Sequence, residues 1–336
     1  MKCPTLAELP PPAPGKTGWP WTVGTDEAPP SGRKLPRISI VTPSYMQGGF
    51  IEETIRSILL QGYPDIEYIV FDGGSTDGTK AVLEKYSPWL AHWRIEKDRG
   101  QSDAINKGMD RATGNIVAYL NSDDWYTPGA FLAVAQRAVE HPAEDWWVGG
   151  VDVRNGERCD LKTSGFTSMP RFLGRVETLY QPGVFWSARV LRAVPHFDPT
   201  LHCVFDHEYW CRALVAGFRP VVIEPTLANF RIHGESKSST KQQSFMRELW
   251  QVTRMHRARL TASEWREAAH GLRVYEADYL ITSIYALLEA GERAAAAGLL
   301  LRSVRLYRHV LPVRAVAGAY YRTFVTGAAP EWFRRA

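Results

Sequence analysis

From Arg37 to about Glu140 the chain alternates short apolar runs with stretches whose apolar residues recur at helical spacing. Ile38 to Val41 reads as a buried strand ended by Thr42-Pro43, and Ile66 to Phe71 as a second strand closed by Asp72-Gly73-Gly74. Trp93 to Glu96 leads into Asp98-Arg99-Gly100, and Ile116 to Leu120 ends in Asn121-Ser122-Asp123-Asp124. Between them, Ile51, Ile55, Ile58 and Leu59 fall on one helical face. Thr76 or Asp77 offers a cap for a helix reaching Tyr86, and Ala104 and Ile105 sit in a helix ending near Arg111. Thr127-Pro128 supplies another helix start. Regular alternation of this kind predicts an α/β fold, a mainly parallel sheet flanked by helices. Crossovers in such sheets are right-handed, and ligands collect outside the carboxyl ends of the strands. Asp72, Asp98 and the pair Asp123-Asp124 would then share one rim.

The flanks behave differently. Residues 1–36 are rich in proline and poor in apolar periodicity, which predicts an extended or disordered arm, the alternative being that its tryptophan–proline region docks on the body or a partner. Residues 146–232 alternate less regularly. Strand-like Trp146 to Val153 and Pro220 to Glu224 surround a helix from Asp206 to Ala216, and these elements are expected to join the same sheet on its acceptor side. Beyond Thr240 the chain reads as helix, with fifteen lysines and arginines against eight acidic residues. Expected boundaries are therefore 1–36 for the arm, 37–240 for the main domain and 241–336 for a helical C-terminal extension. The basic excess fits a surface that packs on the body, forms a homodimer, or meets an anionic membrane through Arg302, Arg305 and Arg308 beside Leu299, Leu300 and Leu301.

Composition narrows the class. A net charge of +4, from 40 basic and 36 acidic residues, gives no reason to expect a nucleic-acid partner. The four cysteines lack Cys-x-x-Cys spacing, so neither a zinc site nor a disulfide framework is expected. With no leader-like apolar segment and no apolar run of about 18 residues, the expected location is cytoplasmic, with any membrane contact peripheral and at the inner face.

The carboxylates after Val117-Ala118-Tyr119-Leu120 carry the chemistry. Two acids beside an apolar strand are costly unless a cation compensates them. Oxygen donors suit magnesium or manganese, which join a few carboxylates to substrate phosphates. Helix capping is the alternative, but Thr127-Pro128 is expected to fill that role.

Four segments taken in order sharpen this reading: Ile40-Val41-Thr42-Pro43-Ser44-Tyr45, then Phe71 through Thr79, then Asn106-Lys107-Gly108, then Leu120 through Asp124. Their order and spacing resemble the inverting family 2 glycosyltransferases of the GT-A fold, over roughly residues 37–235. The resemblance implies a Rossmann-like GT-A domain that moves one sugar from a nucleotide-diphosphate sugar, UDP-linked in most cases, to a glycan or lipid-linked hydroxyl. Cell-surface polysaccharide synthesis is the context it suggests. Thr42, Pro43 and Tyr45 then line base and ribose, Asp72 holds the base, and Asp103, Asn106 and Lys107 lie near base or diphosphate. The resemblance makes Asp124 the direct metal ligand and Asp123 a ribose or metal contact. Asp206 is the catalytic base, with Glu208 the alternative base or an acceptor-orienting group. His233 matches an extra metal ligand, which favours manganese over magnesium. Trp186, in Gln181-Pro182-Gly183-Val184-Phe185-Trp186, is a candidate sugar-stacking ring or a core residue.

Some positions depart from the pattern. Ser122 replaces the first acid of some metal motifs, and Gly73 stands where many members have a second acid. No Gln-x-x-Arg-Trp motif occurs, which argues against a processive synthase. The rival readings are a sugar-nucleotide nucleotidyltransferase and a non-catalytic carbohydrate-binding scaffold. The first would want a glycine-rich basic loop where Thr42-Pro43-Ser44-Tyr45 stands; the second could lose Asp124 and Asp206, yet both are present.

Overall fold

A computed structural model describes residues 1–25, 34–234, 242–307, 309–311, 316 and 319–320. The chain forms two compact units: residues 1–166 with 178–248, and residues 167–177 with the described part of 249–336. Segment Thr167–Glu177, which lies inside the span expected to be one domain, is part of the second unit.

In the first unit, β1 (Ile38–Ser44), β2 (Ile66–Asp72), β3 (His92–Ile95) and β4 (Ile116–Tyr119) form a parallel sheet in the order β3-β2-β1-β4. Helices α1 (Ile51–Leu59), α2 (Thr79–Tyr86) and α3 (Gln101–Met109) are the crossovers. β1 and β4 are buried at every residue, as expected of strands covered on both faces. Gly108 of α3 lies against β1; a Cβ there would sit 2.3 Å from a Val41 methyl, so glycine sets the close helix–sheet approach.

The remainder of the sheet is mixed. After β5 (Trp125–Tyr126) and α4 (Ala130–Glu140) come β6 (Trp146–Asn155) and β7 (Arg158–Lys162). β8 (Val184–Ser187) leads through α6 (Ala188–Ala193) and α7 (Phe205–Val215) to β9 (Val221–Arg231). β8 is antiparallel to β4 and β6, β9 is parallel to β6, and β5 is antiparallel to β9. The elements after Trp146 thus join the same sheet. Thr127 does not cap α4: its hydroxyl donates to the Thr226 carbonyl, and the helix starts after Gly129, whose φ of 77° is left-handed.

Residues 1–25 depart from the expected loose arm. The Met1 amino group donates to the Ile66 carbonyl and the Cys3 N–H to that of Tyr63, while Leu9 and Trp21 are buried. Arg56 of α1, fully buried, donates to the carbonyls of Pro10, Pro20 and Trp21 and to the Tyr86 hydroxyl, at 2.8–2.9 Å. Proline removes N–H donors but not carbonyls, so a proline-rich strap can satisfy a buried guanidinium. Pro29 and Pro30 lie outside the described residues.

In the second unit, α5 (Met169–Leu173) packs on α9 (Ala262–Glu289). Gly271 allows the approach, since a Cβ there would lie 2.6 Å from the Gly174 carbonyl oxygen. Thr261 and Glu264 form a capping box at the start of α9. A separate core gathers Ala277, Ile281 and Ile284 with Ala296 and Leu300 of α10 (Arg293–Tyr307). Leu300, one of the expected membrane-facing leucines, is therefore interior, whereas Leu301 is exposed; Arg308 lies outside the described residues. Among the described residues no helix is long and apolar enough to cross a membrane. Helix α8 (Gln242–Met255) carries Glu248 of the first unit.

Candidate active site

The rim at the carboxyl ends of β1 to β4 has two parts. At the β2 end, Asp72 is 1 % exposed and turned into its own loop. Its Oδ1 accepts from the N–H groups of Gly74 and Ser75 at 3.1 and 2.7 Å, and its Oδ2 from the Ser75 hydroxyl at 2.7 Å. Such a side-chain-to-backbone turn is what Asp followed by glycines favours. The following Asp77 binds the Thr79 N–H and hydroxyl at the start of α2, and also the Gly48 N–H. At the β1 end, Thr42 and Pro43 are buried and the Tyr68 hydroxyl donates to Thr42 Oγ1, while the Tyr45 ring is exposed. Of the three expected to line base and ribose, Tyr45 alone presents its side chain outward.

Asp98 follows β3. Its Oδ1 accepts from the Gly100 N–H at 2.9 Å, closing the turn into α3. Burial pushes its pKa up, with Asp103 and Asp72 adding to the rise against Gly100 and Lys107. Asp103 is held by Arg99 at 2.5 Å and by Lys107 at 3.5 Å, and the Arg99 guanidinium keeps its carboxyl below the usual range. Lys107 also pairs with Glu96 at 2.9 Å. The Asn106 side chain is turned elsewhere, bonding the backbone of Phe197 through both its amide atoms at 2.8 Å.

The other part of the rim lies past β4. Asp123 Oδ2 is 3.0 Å from His233 Nε2, and both side chains are partly accessible, at 21 % and 15 %. Asp124 is fully buried: Oδ1 accepts from the Arg231 backbone N–H at 2.9 Å, and Oδ2 faces the Asn121 amide at 3.4 Å. Burial drives its pKa well above the carboxylate range, and neighbouring Asp123 adds to this. Sequence reasoning gave the direct metal contact to Asp124; in the structure the accessible carboxylate, paired with the histidine, is Asp123.

Arg231, which the sequence did not single out, organises this part. Its Nε donates to the Asp123 carbonyl at 2.9 Å and a terminal nitrogen to Glu53 at 2.8 Å. The guanidinium also lies over the Trp125 and Phe50 rings, 4.4 and 5.1 Å from their centroids, a cation–π arrangement. Phe50 in turn packs on the His233 ring at 4.6 Å. A chain of amides leads inward: Gln101 donates to Asn121 Oδ1 at 2.5 Å, and buried Gln181 donates to the Tyr119 carbonyl at 2.7 Å. Asn121 stands two residues before Asp123, and that spacing was the signal available in the sequence.

Asp206 opens α7, where its Oδ1 accepts the His207 N–H at 2.7 Å. The N–H groups of His202, Cys203 and Val204 are instead satisfied by the Glu248 carboxylate of α8, at 2.8–3.1 Å. The helix entry is thus supported from a distant part of the chain. Asp206 and Asp124 both raise the pKa of the buried Tyr119 hydroxyl, behind burial as the main cause, so both acids lie in the neighbourhood of that residue. Glu208 is buried and held by Arg212 in a two-pronged pair at 2.7 and 2.9 Å, and Arg212 also donates to the His196 carbonyl. Trp186 is a core residue, fully buried against Trp146, Trp210 and Tyr209.

Among the described residues no three His, Cys, Asp or Glu side chains converge as a complete cation site. Asp123 and His233 supply two donors of the type manganese accepts, at an accessible edge. Two protein ligands fit a cation whose other positions go to phosphate oxygens and water.

Comparison with known proteins agrees with this architecture. Residues 39–190 match the family model for glycosyl transferase family 2. Bacillus subtilis TuaG, named provisionally as a teichuronic acid biosynthesis glycosyltransferase, is 25 % identical over 242 residues, 68 % of this chain and 92 % of TuaG. Among solved structures, Staphylococcus aureus TarS 1-349 in complex with UDP-GlcNAc superposes with a TM-score of 0.57 at 17 % identity, covering 85 % of this chain and 86 % of that one. The mannosyltransferase PcManGT from Pyrobaculum calidifontis, in complex with GDP-Man and Mn2+, gives 0.55 at 20 % identity, covering 90 % and 91 %. The mostly parallel α/β sheet flanked by helices has the GT-A fold. Over residues 39–190 the chain is thus similar to glycosyl transferase family 2.

Proposed function

We propose that this protein moves a single sugar from a UDP-linked donor to a hydroxyl of a glycan or lipid-linked acceptor, with inversion, in cell-surface polysaccharide synthesis. The observation that carries the reading is the accessible Asp123–His233 pair at the β4 end. The sugar-nucleotide complex of TarS and the name of TuaG support donor class and context.

Asp123 and His233 would hold a divalent cation, manganese by donor type, which when bound offsets charge on the departing diphosphate. Asp206 takes the proton of the acceptor hydroxyl as that oxygen attacks the anomeric carbon, so no enzyme adduct forms. Glu208, neutralised by Arg212, is suited to orienting the acceptor rather than to taking the proton. Asp124, buried and bonded to the Arg231 backbone, fixes the loop that aims Asp123. Tyr45 flanks the base, while Asp103 and Lys107, tied to Arg99 and Glu96, hold the α3 side of the donor cleft. Cytoplasmic location, with the helical unit meeting a membrane or a second copy, completes the proposal.

The test is release of UDP from UDP-sugars, with and without manganese and a glycan acceptor. Metal-dependent turnover is expected, and it should fall about 10³-fold in Asp206→Asn. If the protein neither binds nor turns over any sugar nucleotide, the enzyme reading fails.

A further inference from the structure

We infer that Glu248 of α8 is a positioning residue for Asp206, setting where the base stands without touching the reacting atoms; this rests on the reading of Asp206 as the base. Val204 stands at the N-cap position of α7, and its side chain has no polar atom to cap with. Three successive backbone N–H groups, those of His202, Cys203 and Val204, converge instead on one carboxylate. Glu248 Oε2 accepts from them at 3.1, 2.8 and 3.1 Å, and Oε1 also takes the His202 N–H at 3.1 Å. Successive N–H groups in a turn make a concavity suited to an anion. Glu248 is buried, so its charge is withdrawn from water and met by these charge-assisted bonds.

The segment held in this way reaches both sides of the reaction. A Cβ on Gly100 would lie 3.9 Å from His202 Nδ1, so the segment passes against the turn that opens α3 on the donor side. Four positions further on, Asp206 is the second residue of α7. All of these residues belong to the first unit. Apolar contacts hold the segment on the body: Leu201, Val204 and Phe205 are buried, and the Phe205 ring packs on Phe197 and Tyr119 at 5.8 and 6.3 Å. Such burial is non-directional. The bonds to Glu248 are directional, and they set the rotation of the first turn of α7 and with it the aim of Asp206. Removing the carboxylate should therefore leave the fold in place and shift the base, and a misplacement of about 1 Å can cost about 10²-fold in rate.

The experiment is steady-state UDP release by the full chain in manganese buffer, with water as the acceptor. The donor is whichever of UDP-glucose, UDP-galactose and UDP-N-acetylglucosamine the wild type turns over fastest. In that reaction the water oxygen bonds the anomeric carbon as the bond to UDP breaks, and its proton passes to Asp206. The variants are Glu248→Ala, Glu248→Gln, Asp206→Asn and the double variant Glu248→Ala with Asp206→Asn, and calorimetric titration with UDP counts the folded sites in each. Glu248→Ala should lower kcat about 10²-fold while donor KM and UDP Kd stay within about 2-fold of wild type. Glu248→Gln keeps an acceptor oxygen without the charge and should lose about 10-fold; it carries the test if Glu248→Ala does not fold. The double variant should be within about 2-fold of Asp206→Asn alone, since Glu248 acts through that residue. An unchanged kcat in the Glu248 variants, a parallel fall in UDP affinity, or a further loss of about 10²-fold in the double variant would overturn the inference and leave the glycosyltransferase reading intact. Full activity of Asp206→Asn would take down the base reading and this inference with it, and a wild type that binds no UDP would sink the donor reading as well.

Discussion

The two parts of the acidic rim are built in opposite ways. At the β2 and β3 ends, each carboxylate is held by backbone N–H groups two or three residues away: Asp72 by Gly74 and Ser75, Asp98 by Gly100. Past β4, the carboxylates are held from a hundred residues further along: Arg231 reaches Asp124 and the Asp123 carbonyl, and His233 reaches Asp123. The first part is a set of self-contained turns. The second depends on β9 being in register beside β6, and on Glu53 of α1 meeting Arg231. Substitutions should therefore damage the first part locally and the second part cooperatively.

The largest expected effect follows from breaking the second part at its centre. Arg231→Ala leaves Glu53 without its cation and frees the Asp123 loop, so transfer should fall about 10²-fold and stability by about 3 kcal/mol. Chemical denaturation together with turnover reads both, and a loss confined to one of them would contradict the cooperative description. Asp72→Ala should cost less, about 2 kcal/mol, because three local donors can turn to water once the loop relaxes. Smaller still is Gly73→Ala, whose Cβ would stand 2.8 Å from an Asp98 carboxylate oxygen: stability should drop by about 1 kcal/mol, read as a lower melting temperature.

The smallest effect belongs to Arg99, an exposed side chain. Arg99→Ala should leave stability at neutral pH nearly unchanged, since the pair is solvent-screened. Because Arg99 lowers the Asp103 pKa in the folded state, that contribution is present above the unfolded aspartate value near about 3.9. It is lost as pH falls through the lower folded value. The acid side of the wild-type stability profile should therefore be steeper than that of Arg99→Ala; matching profiles would assign no coupling to the pair.

The same contrast explains what the sequence made legible. The strands β1 to β4 and their turns follow from apolar periodicity and from Asp-Gly pairs, which are local signals. Arg231, Glu53 and Glu248 carry no local mark. Each looks like an ordinary surface charge until β9 and α8 bring it to its partner. Arg56 was hidden in the same way, on a helix whose apolar face was plain and whose polar partners are carbonyls of the proline-rich strap. The Thr127-Pro128 start misled because the hydroxyl is drawn across to β9, a contact no local pattern encodes. Asp206, Glu208 and His233 were found through family resemblance, and their distinct surroundings came only from the fold.

The division of labour between Asp123 and Asp124 is the point on which the account turns. It is tested most directly by titrating manganese into the protein with UDP present, followed by the manganese electron paramagnetic resonance signal, for wild type, Asp123→Asn and Asp124→Asn. The expected result is loss of UDP-dependent manganese binding in Asp123→Asn, with Asp124→Asn staying within about 3-fold of wild type because its amide oxygen can still accept the Arg231 N–H. Full manganese binding in Asp123→Asn with loss in Asp124→Asn would contradict the account.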